Sequence, residues 1–203
     1  RVASRGLGDV YKRQEYARLH PEVVVDVEFN DKRVHLVEEG FDLVIRIGLL
    51  QDSGLIAKRL CNFPTKICAS PDFIDRFGMP IKPSDLRNIP AVHYANAATG
   101  LSLTFKTPDG MEEAVNLTPA IYVNSIGMLL EGILKGIGYA RAPSFAVNGH
   151  LKEGRLIHLL TEYQSLPKHG VYAIYPDKRF LPLKVRKFID LLSDRLGSMD
   201  DES

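Results

Sequence analysis

Residues 23–48, VVVDVEFNDKRVHLVEEGFDLVIRIG, constrain the fold more than any other stretch of the chain. The alternating valines and Phe29 carry the period of a strand. From Asn30 the pattern turns helical, with Val34 and Val37 three apart, until Gly40 stops it. A second apolar run, Leu43 to Ile47, follows. Two strands joined by a helix lie parallel, and open parallel sheets leave a binding crevice outside the carboxyl ends of their strands. Those ends are Asn30 and Asp31 for the first strand, Arg46 and Gly48 for the second.

Residues 121–143, IYVNSIGMLLEGILKGIGYARAP, repeat that logic: strand, polar cap, amphipathic helix, glycine, strand. Ile126, Leu129, Leu130, Ile133 and Leu134 fall on one helical stripe, with Asn124 or Ser125 as its cap and Gly136 as its end. A helix start offers free N–H groups and the positive end of a dipole, which suits a carboxylate or phosphate. The same double role, cap and ligand contact, falls to Asn30 and Asp31. Arg46 and Arg141 are cations near the ends of apolar runs. An unpaired buried guanidinium is costly, so each must reach water, an acid or an anionic ligand; Asp31 and Asp42 are the acids within reach of Arg46 in sequence.

Between these units, Ile56 to Ala69 is extended and interrupted by Pro64. Ser70-Pro71 opens a short helix closed by Gly78, and Lys82 to Leu86 a further helical turn. A strand is expected at Ala91 to Tyr94. A hairpin is expected from Leu101 to Leu117 around the turn Thr107-Pro-Asp-Gly110. Pro143 starts another helix, Leu156 to Leu160 and Val171 to Tyr175 read as strands, and Tyr163 to His169 as irregular chain. Leu181, Val185, Phe188, Ile189, Leu192 and Leu196 mark a long terminal helix. Residues 1–14, RVASRGLGDVYKRQ, show no helical or strand period and are expected to be a non-native or disordered leader, as residues 199–203 are expected to be a polar tail.

Bulk properties narrow the function. With 26 basic and 25 acidic residues the net charge is +1, which gives no overall field for nucleic acid or an anionic membrane. No apolar run approaches the roughly 18 residues of a membrane span. Cys61 and Cys68 lack the paired spacing of a zinc site and read as reduced thiols, a redox switch being the alternative. The six histidines show no metal spacing, no serine sits in a nucleophile elbow, and Gly136 and Gly138 follow a helix rather than open one. No enzyme, metal or cofactor is therefore expected. His93-Tyr94, at a strand end, reads as a partly buried pair or part of a cleft.

The ordered set HPEVVVDV (residues 20–27), residues 31–48, LIAKRL (55–60), CASP (68–71), residues 123–143 and residues 171–188 resembles the effector-binding domain of LysR-type transcriptional regulators, from about Glu15 to Leu196. The resemblance implies an α/β, two-lobed, type 2 periplasmic-binding-protein-like fold with two crossover strands. Lobe I would hold residues 15–62 and 168–198, and lobe II residues 63–167. It implies a bacterial, cytoplasmic regulator, a homo-oligomer (dimer or tetramer), that binds a small effector in the interlobe cleft; Arg46 and Arg141 near the strand ends favour an anionic one. Asn30, Gly48, Ser70, Asn124 and Ser125 fall where such domains line that cleft; Asp31, Arg46 and Arg141 are added from the residue reading. Contact with DNA would be made only through a helix-turn-helix domain absent from this sequence, and the first strand of the effector domain is expected to be missing. An exported solute-binding protein of the same fold is the alternative, and an enzyme on this scaffold a third reading.

Overall fold

The computed structural model describes residues 2–4, 18–24, 26–29, 38–48, 55–97, 99–167, 169–176 and 181–197. The chain divides into two compact units, residues 1–63 with 169–203, and residues 64–168.

In the first unit, β1 (Val2–Ser4), β2 (Val27–Phe29), β3 (Leu43–Gly48), β4 (Ile56–Phe63) and β13 (His169–Tyr175) form one sheet in the order β2-β1-β3-β13-β4. The first three strands are parallel; β13 runs antiparallel between β3 and β4. The terminal helix, Leu183–Gly197, packs on β4 and buries Val185, Phe188, Ile189, Leu192 and Leu196, the stripe the sequence predicts. Lys58 and Asp190 pair across this contact at 3.3 Å.

Two expectations change here. Val2–Ser4, within the segment expected to be a non-native or disordered leader, is a strand between β2 and β3, the slot of the strand expected to be missing. Three residues are too few to show a period, and a parallel ladder needs only their backbone groups. The first predicted strand shortens to Val27–Phe29, because Pro21 to Val23 form a turn. The expected helix after Asn30 lies outside the described residues, apart from the turn 38–40 that ends in Gly40 with φ +69°.

The second unit is built on β5 (Thr65–Ala69), the centre of the antiparallel sheet formed with β10 (Ala140–Pro143) and β11 (Ile157–Leu159). Alternate side chains enter two cores. Ile67 and Ala69 join Phe73, Leu86, Leu103, Phe105, Val115 and Tyr139; Cys68 joins Val92, Val123, Leu129, Ile133, Ala140 and Val147. The first core lies under the hairpin β7 (Ser102–Lys106) and β8 (Glu112–Asn116), closed as the sequence predicts by Thr107 to Gly110. Against β7 lies β12 (Gln164–Leu166), so the segment expected to be irregular contains a short strand. The second core is covered by α2 (Ile126–Leu134) and α3 (Ser144–Lys152). Helix α1 (Pro71–Phe77) is capped by Ser70 and ends at Gly78, and a 3-10 turn follows at Pro83–Asn88.

The parallel strands β6 (Pro90–Tyr94) and β9 (Thr118–Val123) join this sheet through Tyr139. The Tyr139 N–H donates to the Pro90 carbonyl at 3.1 Å, and its own carbonyl accepts from the Val92 N–H at 2.8 Å. The joint explains Gly138: a Cβ there would sit 2.7 Å from the Pro90 oxygen and 2.8 Å from the Ala91 carbonyl carbon. Tyr139 is also locked below, its hydroxyl donating to the Leu86 carbonyl at 3.1 Å.

Gly138→Ala should therefore destabilise the protein by about 1–3 kcal/mol, the cost of overpacking a rigid contact. Gly149→Ala, on α3 with nothing near the added carbon, should stabilise it by about 0.5–1 kcal/mol. Urea denaturation of the two variants checks the contrast; equal midpoints would contradict the joint.

Candidate functional site

The register of the second unit decides which polar residues share an edge. Tyr139 lies beside Ala91, Tyr94 pairs with Val123, and β10 runs on past Tyr139, so β6, β9 and β10 point their carboxyl ends the same way. Asn124 and Ser125 follow β9 at that edge. Ser125 is the cap of α2, its Oγ accepting from the Met128 N–H at 3.2 Å. That leaves Asn124, which is exposed and makes no side-chain hydrogen bond among the described residues.

Ser70 is elsewhere. Because β5 is antiparallel to β10, with Cys68 opposite Ala140, Ser70 comes level with residue 138, at the amino ends of β6, β9 and β10. It is 3% exposed, its Oγ accepts from the Phe73 N–H at 3.3 Å, and the Gly136 turn closes over it. The expectation that groups Ser70 with Asn124 and Ser125 is thus corrected: a cap motif reads the same whichever end of a sheet its strand reaches.

Arg141 stands on the same sheet face as Tyr139. Its guanidinium donates to the Leu166 carbonyl at 2.9 Å and to Thr99 Oγ1 at 3.2 Å, and burial disfavours its charged form. Two residues beyond Ala91 on that face is His93, 6% exposed, its ring 5.5 Å from that of Tyr122 in an edge-on contact. Burial, with the Arg141 charge second, holds His93 below the usual imidazole range. The row Arg141, His93, Tyr122 is the feature that sequence reading missed as a unit; Arg141 and the polar residue inside the apolar run Ala91 to Tyr94 were visible separately.

In the first unit, Arg46 is a half-buried residue of β3 opposite Tyr172, and Gly48 ends that strand opposite Gly170. Asn30 and Asp31 lie outside the described residues. Among the described residues no group of three His, Cys, Asp or Glu side chains is placed to hold a metal. Cys68 is fully buried, and desolvation pushes its thiol up to about 12 despite the charge of Lys66, so it is no nucleophile at neutral pH.

This architecture has known counterparts. The model of the LysR substrate binding domain matches residues 13–197. The chain belongs to that family. The regulatory domain of CrgA, a LysR-type transcriptional regulator from Neisseria meningitidis, superposes with a TM-score of 0.82 at 23% identity, covering 97% of this chain and 98% of that domain. The mixed α/β, periplasmic-binding-protein-like fold of the family is thereby shown. Among curated proteins, the HTH-type transcriptional regulator PtxR of Pseudomonas aeruginosa is 32% identical over 90% of this chain and 58% of its own length. The HTH-type transcriptional activator AaeR of Escherichia coli is 33% identical over 89% of this chain and 57% of its own. The LysR-family chain thus spans under three fifths of the length of these relatives. No described helix is long and apolar enough to cross a membrane.

Two predictions follow from the buried titratable groups. His93 and His158 are both held below their ordinary value of 6.5, chiefly by burial, with Arg141 and Lys66 respectively adding repulsion. The unfolded chain then binds more protons, so stability present above pH 6.5 should fall as pH drops below it, and His93→Gln with His158→Gln should flatten that slope. Chemical denaturation at a series of pH values measures it. Cys68 should resist alkylation at pH 8 in the folded protein and react on unfolding; mass spectrometry of the labelled peptide would show any early reaction.

Proposed function

We propose that this chain is the effector-binding regulatory part of a LysR-type transcriptional regulator: it binds a small anionic metabolite and does not transform it. The family match over nearly the whole chain carries this reading. Supporting it, the carboxyl edge of the second unit presents an exposed amide at Asn124, the N-terminal end of α2 at Ser125, and the guanidinium of Arg141. A helix N-terminus and a guanidinium both favour negative charge. Asn30, Asp31, Arg46 and Gly48 hold the corresponding strand ends in the first unit's sequence, and Ser70 enters as the cap that orders α1.

The full-length protein would act in the cytoplasm as a homo-oligomer on DNA, with effector binding shifting the populations of its regulatory domain. DNA contact is assigned to no residue of this chain. The printed descriptions of PtxR and AaeR as HTH-type transcriptional regulators support this part of the reading.

A thermal-shift screen of carboxylated metabolites against their neutral amides tests the proposal. An effector at a hundredfold over its Kd should stabilise the protein by about 2.7 kcal/mol. Asn124→Ala and Arg141→Gln should each weaken it. Stabilisation by neutral compounds alone would overturn the anionic reading, and turnover of the stabilising compound would overturn the regulatory one.

A further inference from the structure

Among the described residues, Arg141 is a cation whose hydrogen-bond partners are all neutral. Its contacts are the Leu166 carbonyl and the Thr99 hydroxyl, and no carboxylate comes within ion-pair distance among the described residues. A guanidinium carries more N–H donors than these two bonds use. The residue is half-buried, and that burial disfavours its charge; a partly desolvated cation gains from an arriving counter-charge.

What surrounds it is polar. His93 lies level with Arg141 on the same sheet face, because Ala91 is level with Tyr139 and both strands run parallel. Tyr122 comes next in the row, exposed, its ring against the imidazole. Ser165, beside Leu166, pairs with Phe105 and so faces the same layer; its Oγ is buried without a hydrogen-bond partner. A cation, a threonine hydroxyl, an imidazole and an unpaired serine hydroxyl therefore share one layer, with exposed Tyr122 beside His93.

The charged groups around His93 are few. On the β10 side its charged neighbour is Arg141, with Tyr139 just before β10 committed to Leu86, and on the β9 side its neighbour is Tyr122. Helix α2 packs on the opposite face through Val92, and its Glu131 and Lys135 are exposed. On the hairpin, Lys106 and Glu112 are exposed, and half-buried Glu113 makes no ion pair with Arg141 or His93.

We propose that Arg141, Thr99 and His93 form a clamp for a single carboxylate group, and that occupying it draws a proton from solvent onto His93. The proposal deepens the effector reading above and rests on it for its biological meaning. The arriving carboxylate offsets the Arg141 charge that now repels a proton from His93. The imidazolium so formed gives the anion a second charged donor, while Tyr122 supplies an aromatic wall for the rest of the ligand. Affinity for a carboxylate then rises as pH falls from 8 toward 6, the direction opposite to a simple loss of ligand charge.

Acetate and acetamide test the clamp directly, with benzoate as the aromatic case. In imidazole-detected NMR of the whole chain, acetate at tens of millimolar should shift the His93 signal and raise its titration midpoint. Acetamide should do neither, and benzoate should bind more tightly than acetate. Acetate affinity should increase at least threefold from pH 8 to pH 6, and His93→Gln should remove that dependence. Arg141→Gln should weaken acetate at least tenfold, Thr99→Val less, and Arg141→Lys should rescue part of the loss. If Arg141→Gln does not fold, the wild-type comparison of acetate with acetamide decides alone. An unmoved His93 signal with both acetate and benzoate, or equal response to acetamide, overturns the clamp. An effector from the screen that stabilises the protein yet leaves His93 unmoved also overturns the clamp while the regulatory reading stands. Acetate binding without any regulatory effector leaves the clamp and removes that reading.

Discussion

Strand β5 is buried on both faces, and the second unit is arranged around that fact. Ile67 and Ala69 need one apolar partner layer and Cys68 another, so the sheet must be covered twice, by the hairpin with α1 on one side and by α2 and α3 on the other. The backbone groups of β5 are paired on both sides as well, by β10 and β11. Its antiparallel pairing with β10 then fixes which end of the sheet each later residue reaches. Ser70 goes to one end and Ser125 to the other, although both cap helices after strands.

Tyr139 couples this sheet to the parallel pair β6 and β9, and the coupling places the polar row. Its two backbone bonds set Ala91 beside it, and the shared twofold period of the strands then brings His93 level with Arg141. Burial, and after it the charge of Arg141, disfavour the protonated form of His93 in the free protein. Such a shift is tolerated where a ligand relieves it. The fully buried thiol of Cys68, by contrast, has no neighbour able to make it reactive against desolvation, so it serves as a core residue.

Local signals in the sequence were strong wherever a motif carries its own geometry. Ser70-Pro71 and Gly78 bound a helix, Thr107 to Gly110 turns a hairpin, and the spaced leucines of the terminal helix face one core. They were weak wherever the partner decides. The strand Val2–Ser4 has no pattern of its own and exists through ladders on both sides, and β12 forms because β7 offers it an open edge. The cap at Ser125 was legible as one of two neighbours, and only the hydrogen bond to Met128 released Asn124 for other contacts.

By itself, the sequence determined the element types, their order, the amphipathic faces and the LysR-family membership that the ordered set signals, because these depend on spacing along the chain. Tertiary structure alone decided that Arg141 reaches Thr99 and Leu166 with His93 nearby, and that Ser70 stands apart from Asn124. Those outcomes depend on strand direction and register, which are set by backbone pairing between distant segments and leave no periodic trace in either one.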